Sequence, residues 1–328
     1  MGKSLDEIIG DIDKRFGKGY VRHMEEYINI EKVSSGSIGL DLALGGGYPK
    51  GRVIEIYGAE SSGKSTTALH AAVEVQKIGK MVLYLDYENA IDPEYCEMLG
   101  IDMSKDKFRI ATPDSTEDGF ETIRTFLDYD GLGLVVVDSV AAMVPKAELA
   151  GDFGDAKMGL QARAMSQSMR MLCQKISKSS AIVIFINQIR EKIGIVFGDP
   201  TTTPGGNALK FYASQRLAIT KSGGEKDKEG EFVSIISRIT VKKNKVAPPM
   251  RKCEIPIKFG VGFDKYLELV NIASENEIIL KKGSWYSYGD TKLGQGSEAV
   301  VLLLQDNPEL FEEIDRKVRI NLGLIEEL

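Results

Sequence analysis

The sequence predicts an α/β protein: a mostly parallel, twisted sheet with helices on both faces, an amino-terminal helix before it and a small α+β domain after it. Three observations carry the prediction. From Val53 onward, apolar runs the length of buried strands alternate with amphipathic helical stretches, the pattern of a parallel sheet covered on both faces. Gly58-Ala-Glu-Ser-Ser-Gly63-Lys64-Ser65 fits GxxxxGK[ST] where a strand gives way to a helix, the context that motif requires. Beyond Gly262 the composition turns acidic: Asp264 to Leu328 holds 7 basic and 13 acidic residues, so this stretch carries the whole formal charge of -6.

The elements follow in chain order. Ser4 and Glu7 form a capping-box pattern, and Leu5, Ile9, Ile12 and Phe16 recur at helical spacing before Gly17, which marks a short amphipathic helix. A helix of that length at a chain end is marginal alone and buries its apolar stripe on its own core or on a neighbouring subunit. The alternating stretch then reads as strand Val53 to Tyr57, helix Lys64 to Lys77, strand Met81 to Asp86, helices at Pro93 to Leu99 and Asp118 to Tyr129, and strand Leu134 to Asp138. A helix at Leu160 to Ile176 and a strand at Ala181 to Ile186 complete it. Gln215 to Thr220, Ser234 to Val241 and Arg251 to Phe259 read as further strands of the same sheet. After Gly262 the chain is acidic and helical with Trp285, Tyr286 and Tyr288 in its middle. The expected divisions are 1–32 for the helix and its linker, 33–263 for the core and 264–328 for the small domain.

A chain of 328 residues exceeds a typical single domain, in keeping with one large core and an appendage. No apolar run approaches the roughly 18 to 20 residues that span a bilayer, and Met1 to Glu7 lacks the apolar stretch of a secretion signal. A cytoplasmic location and no membrane partner are therefore expected. Cys96, Cys173 and Cys253 are too scattered for a disulfide framework or a CxxC zinc site. The only histidines, His23 and His70, are too few and too isolated to point to a His metal cluster or a Ser-His-Asp triad, so hydrolytic chemistry is expected to use carboxylates, lysine and a metal. Residues before Asp264 are neutral in sum, so the acidic total does not exclude nucleic acid.

The GxxxxGK[ST] segment is a nucleotide cradle. Its glycines let backbone N–H groups and a helix N-terminus face phosphate, Lys64 places a charge at the β/γ oxygens, and Ser65 offers a hydroxyl to Mg²⁺. Asp138 ends the apolar run Leu-Val-Val-Val, the place from which a second strand delivers a carboxylate to the magnesium shell. Asp86, Glu88 and Asp92 follow another strand at the ligand-binding edge of the sheet, and spacing alone leaves all three open as the group that polarises water.

GAESSGKS from Gly58, LDYENAIDPEY around Glu88, VVVDSVAAMVPKAELAGDFGD around Asp138, MGLQARAMSQ from Met158, FINQIREKIG and PGGNALKFYAS together resemble the bacterial RecA recombinase family, chromosomal or phage-encoded. The resemblance runs from the amino-terminal helix to about residue 320. It implies a RecA-type P-loop ATPase core that binds ATP and Mg²⁺, polymerises on single-stranded DNA and pairs it with a homologous duplex in DNA recombination and repair. It further implies nucleotide contacts from Gly58, Glu60, Ser61, Ser62, Gly63, Lys64, Ser65 and Thr66, magnesium at Ser65 and Asp138, and adenine held by Asp92 and Tyr95. Glu88 would activate water, Gln188 would sense the γ-phosphate, Phe211 would relay that state across the subunit interface, and Lys243 and Lys245 would reach the neighbour's nucleotide. The segments 148–158 and 189–206 resemble the family's DNA loops. They imply DNA contacts at Met158, Arg190, Lys192, Ile193, Gly205, Gly206 and Asn207, with Arg163, Ser166 and Arg170 as a phosphate track on the intervening helix. A repressor of the SOS type is a further implied partner, and the implied location is the nucleoid, or the host cytoplasm for a phage-encoded member.

The chain also departs from the family. Glu191 places an acid in the second loop, and Thr220 and Thr240 stand where basic residues usually meet the incoming duplex; Lys221, Arg238 and Lys242 are the substitutes at hand. The end Gly323-Leu-Ile-Glu-Glu-Leu lacks a long acidic tail, which predicts weak tail-based autoinhibition. Two other readings share the cradle and its carboxylates: a RecA-fold helicase or repair motor ATPase, and a non-catalytic filament that coats DNA with ATP as an assembly ligand. The paired loops and the amino-terminal helix favour the recombinase.

Overall fold

The computed structural model describes residues 2–21, 23, 30–152, 159–191 and 201–327, with Glu191 described by its backbone alone. The chain divides into two units, Met1–Glu31 and Lys32–Leu328. The first holds helix α1 (Leu5–Phe16), whose capping box is complete: the Ser4 hydroxyl accepts the Glu7 N–H at 3.2 Å, and the Ser4 N–H donates to the Glu7 carboxylate at 2.8 Å. None of its residues is buried, and Leu5 and Phe16 are 72% and 52% exposed.

The second unit starts with β1 (Lys32–Val33), helix α2 (Ile38–Leu44) and β2 (Tyr48–Pro49), then enters the alternating region. Its order is β3 (Val53–Gly58), α3 (Lys64–Lys77), β4 (Met81–Asp86), α4 (Pro93–Met98), β5 (Phe108–Ala111), α5 (Thr116–Phe126) and β6 (Leu132–Asp138). A 3₁₀ turn at Val140–Ala142 and the short α6 (Lys146–Leu149) lead to α7 (Leu160–Ser179), β7 (Ile182–Gln188), and the two-residue strands β8 (Arg190–Glu191) and β9 (Thr201–Thr202). Helix α8 (Ala208–Tyr212) precedes β10 (Gln215–Gly223), β11 (Ser234–Asn244), β12 (Lys252–Lys258) and β13 (Gly262–Phe263). The carboxyl-terminal part is α9 (Lys265–Glu275), β14 (Leu280–Lys282), β15 (Trp285–Tyr288), β16 (Thr291–Gln295), α10 (Ser297–Asp306) and α11 (Pro308–Asn321).

One nine-stranded sheet organises the molecule in the order β13-β12-β11-β10-β3-β7-β6-β4-β5. From β10 to β5 all pairings are parallel, and β11, β12 and β13 continue it antiparallel. Period-two alternation sends successive side chains to opposite faces. Ile54, Ile56, Ile184 and Ile186 meet Ala68, Ala72 and Val75 of α3 on one face. Val53, Val183 and Phe185 meet Phe120 and Ile123 of α5 and Met165, Met169 and Leu172 of α7 on the other. A third apolar cluster joins Leu269, Val270, Tyr286, Val300, Leu304, Ile314 and Val318 in the carboxyl-terminal domain and takes in Ile38 of α2.

One element's bounds need correction. The helix expected at Asp118 to Tyr129 spans Thr116–Phe126, because the Ser115 hydroxyl caps it by accepting the Asp118 N–H at 3.1 Å. The expected α+β character of the small domain holds, with the aromatic cluster Trp285 to Tyr288 forming the central strand of its three-stranded antiparallel sheet, as aromatic residues between glycine turns favour. Helix α2 and strand β5 had no sequence signal of their own: α2 is seven residues long and β5 four.

Candidate functional site

Strand β3 ends at Gly58, and the chain turns through 59–63 into α3. A Cβ at Gly58 would stand 2.2 Å from the Ile219 carbonyl oxygen of the neighbouring strand, so only glycine allows the turn to start this close to the sheet. Ser61 and Gly63 adopt left-handed backbone. The loop is braced on both sides: Ser62 Oγ donates to the Ala59 carbonyl at 2.8 Å, and Ser237 Oγ of β11 donates to the Ser62 carbonyl at 2.6 Å. Glu60 and Ser61 stand exposed. The neighbouring strands thus shape the cradle.

Lys64 is buried at the mouth of this loop and donates to the Ala59 carbonyl at 2.6 Å. Burial pulls its ammonium below the ordinary lysine range, against the opposing pull of Asp138, Glu88 and Glu60. Ser65 Oγ donates to Asp138 Oδ2 at 2.7 Å, and Tyr84 donates to the same oxygen at 2.7 Å. Burial raises the Asp138 carboxyl, reinforced by the nearby Glu88 and Asp86 and opposed by those two hydrogen bonds. A hydroxyl and a carboxylate converging at a helix N-terminus are the hard oxygen donors a divalent cation takes. Ser65 and Asp138 therefore fit Mg²⁺, and the cradle fits a nucleotide's phosphates.

The three acids left open by spacing have different occupations. Both Asp86 oxygens accept backbone N–H groups, from Glu88 at 3.1 Å and Ile91 at 3.0 Å. Asp92 caps α4 by accepting from Glu94 and Tyr95. Glu88 is exposed and leaves its carboxylate to side chains: its Oε1 accepts from Ser139 Oγ and from Gln188 Nε2, the latter at 3.4 Å. Tyr95 is half-buried, its hydroxyl 3.0 Å from Thr66 Oγ1. So Lys64, Ser65, Asp138, Glu88 and Gln188 meet at the carboxyl edge of the sheet, with Tyr95 beside the start of α3.

The remaining residues lie outside this centre. Lys243 Nζ donates to the Lys210 and Phe211 carbonyls at 2.6 and 3.0 Å, closing the last turn of α8. Burial lowers its ammonium, helped by Lys245 and Arg216. Lys245 is exposed, and Phe211 is 71% exposed. Arg163 and Arg170 stand exposed on α7 with Ser166 half-buried between them, and Arg190 is exposed just past Gln188. Gly205 is buried and its N–H donates to Gln161 Oε1 at 3.1 Å; Gly206 packs against Ala162, while Asn207 is exposed. Met158, Lys192 and Ile193 lie outside the described residues. Among the substitutes for the duplex site, Arg238 is paired with Glu254 at 2.6 Å, and Lys221 lies 4.0 Å from the Phe232 ring centroid.

Sequence reasoning missed Ser139, Tyr84, Ser237 and the buried Glu55. Only Glu55 carried a signal, as a charge inside the apolar strand Val-Ile-Glu-Ile-Tyr, where an ionised group requires a partner. The scattered cysteines are free, and burial pushes the Cys96 and Cys173 thiols up to about 11, which keeps them protonated. No described helix is long and apolar enough to cross a membrane.

Two family models match. The RecA N-terminal domain model covers residues 3–264, and the RecA C-terminal domain model covers 267–323. Among curated relatives, "Protein RecA" of Streptococcus pyogenes serotype M49 (strain NZ131) and of serotype M28 (strain MGAS6180) are each 51% identical to the chain, over 99% of it and 87% of their own length. "Protein RecA" of serotype M3 (strain ATCC BAA-595 / MGAS315) gives the same identity and coverage.

Proposed function

The chain belongs to the RecA family, and on that premise we propose how it works as an ATP-dependent DNA recombinase. The observation that carries the reading is the hydrogen bond between Gln188, at the end of β7, and Glu88, two residues past the end of β4. The nucleotide is ATP with Mg²⁺ at Ser65 and Asp138; when bound, the metal neutralises phosphate charge. The 58–66 loop and Lys64 orient the triphosphate, with Asp92 and Tyr95 at the adenine. Glu88, free of backbone duties, is the base that orients water, and Ser139 fixes its carboxylate. Gln188 donates either to Glu88 or to a γ-phosphate oxygen. The arriving phosphate therefore takes over the amide and leaves Glu88 to the water.

Because Gln188 directly precedes the second loop, the exchange of partner reports nucleotide state to DNA. Single-stranded DNA lies along Arg163, Ser166, Arg170, Arg190 and Asn207, and hydrolysis is DNA-dependent. Subunits assemble through the 1–32 segment, and Lys243 and Lys245 of each reach the next subunit's nucleotide with Phe211 as relay. The core is 33–263 and the acidic domain 264–328. Homologous duplex, a repressor of the SOS type and the nucleoid belong to the same proposal. ATP turnover with and without single-stranded DNA tests it: stimulation is expected, and turnover indifferent to DNA would refute the coupling.

A further inference from the structure

Glu55 is a carboxylate in the middle of β3 that no step above uses. It is fully buried. Its cross-strand partner in β10 is Arg216, whose Nε donates to Oε2 at 2.5 Å and whose guanidinium lies 4.7 Å from the Tyr57 ring centroid. Oε1 accepts from Asn187 Nδ2 of β7 at 3.2 Å. The same nitrogen gives its second hydrogen to the Pro204 carbonyl at 3.1 Å, and Asn187 Oδ1 accepts the Gln188 N–H at 3.0 Å. Pro204 precedes Gly205, which Gln161 grips; Gln161 in turn donates to the Val140 and Met143 carbonyls at 2.7 and 3.0 Å.

Stability alone does not account for this arrangement, because apolar residues of similar volume often serve a buried position as well as an ion pair does. What the charge adds is direction. An amide can face its neighbour with oxygen or nitrogen, and a carboxylate accepts only. Glu55 therefore forces the Asn187 nitrogen inward, so that its other hydrogen must point at Pro204 and its oxygen at the Gln188 N–H.

We infer that Glu55, with Arg216 as counter-ion, is a positioning residue that orients Asn187 and so ties the end of the sensor strand to the 201–206 end of the second loop. This rests on the reading of Gln188 as nucleotide sensor and of the second loop as DNA-binding. The tie makes a shift at Gln188 a shift at Pro204 and Gly205.

Two variants test it. In Glu55→Gln the side-chain oxygen keeps Arg216 and its NH₂ faces Asn187, which turns its own oxygen inward and releases Pro204. In Glu55→Gln/Asn187→Asp the two groups pair again and the negative charge returns, but no donor faces Pro204. Single-stranded DNA is titrated with and without a non-hydrolysable ATP analogue, beside the melting temperature and the analogue's own affinity. The unmodified protein should bind DNA at least about tenfold tighter with the analogue, within the usual range of allosteric coupling. Both variants should bring that ratio near one with analogue affinity within about threefold, and the double variant should recover melting temperature but not the ratio. A ratio that persists in either variant, or that returns together with the melting temperature, overturns the inference. An unmodified protein without the enhancement overturns instead the sensor reading on which it stands. Hydrogen exchange on the unmodified protein covers variants that do not fold: the analogue must slow exchange in residues 203–207, and unchanged exchange there overturns the tie.

Discussion

Lys64 shows how function and stability oppose each other at a single residue. Its ammonium is buried on the Ala59 carbonyl and its proton is held less firmly than in water, a state that an arriving phosphate relieves. Hydrogen bonds to charged groups contribute roughly 1.5–3 kcal/mol. Lys64→Ala should therefore weaken nucleotide binding at least about tenfold in a fluorescent-nucleotide titration and abolish ATP-dependent assembly. Gln188→Ala should do the reverse, keeping nucleotide affinity within about threefold while the effect of nucleotide on DNA affinity is lost. By reciprocity the effect of DNA on nucleotide affinity must fall by the same factor, and two titrations check that equality; nucleotide still strengthening DNA binding in this variant would sink the switch. The cradle was legible at this scale because one motif holds all its chemistry. The choice among Asp86, Glu88 and Asp92 was not, because it depends on which oxygens the backbone has already taken.

At the scale of elements, Glu268 of α9 links the carboxyl-terminal domain to α2. It is buried and accepts from Ser37 Oγ and from the backbone N–H groups of Ile38 and Gly39 at 3.3 and 3.1 Å. Burial raises its carboxyl to about 7, with Asp41 adding to the rise and the hydrogen bonds opposing it. The folded chain then holds a proton that the unfolded chain releases between about pH 4.5 and 7. Stability from this group is complete below that window and lost as pH rises through it, by on the order of 3 kcal/mol. His70 acts oppositely, since burial lowers its imidazole to about 3 and it stabilises as pH rises. Subtracting the melting profile of Glu268→Gln from that of the unmodified protein isolates Glu268. The difference should slope between pH 5 and 7, and a flat difference would contradict the assignment. Ile38 of α2 also joins the apolar cluster of the carboxyl-terminal domain, so the two share a core as well as the Glu268 contact. Helix α1, legible through its capping box, exposes Leu5, Ile8 and Phe16. Leu5→Glu with Phe16→Glu should lower assembly by light scattering without moving the melting temperature of the 32–328 unit. Short α2 and β5 escaped the sequence because periodicity needs more residues than they have, and their positions come from packing.

For the whole molecule, the strand-helix alternation specified the mostly parallel sheet and its extension by β10, β11 and β12, whereas the antiparallel sense of the far strands and the two-residue β13 come from the packing. What no local pattern specified is how distant residues meet. Glu88 and Gln188, 100 residues apart in sequence, and Glu55 with Asn187, 132 apart, come together because β4, β6, β7 and β3 are consecutive in the sheet. On the proposed reading, that adjacency lets one phosphate act on two strand ends. The direct test is strand exchange between a circular single strand and a homologous linear duplex with ATP and Mg²⁺. Joint molecules and then nicked circles should form with homologous duplex and ATP, and not with heterologous duplex or without nucleotide. DNA-stimulated ATP turnover accompanied by duplex unwinding, with no joint molecules, would contradict the account.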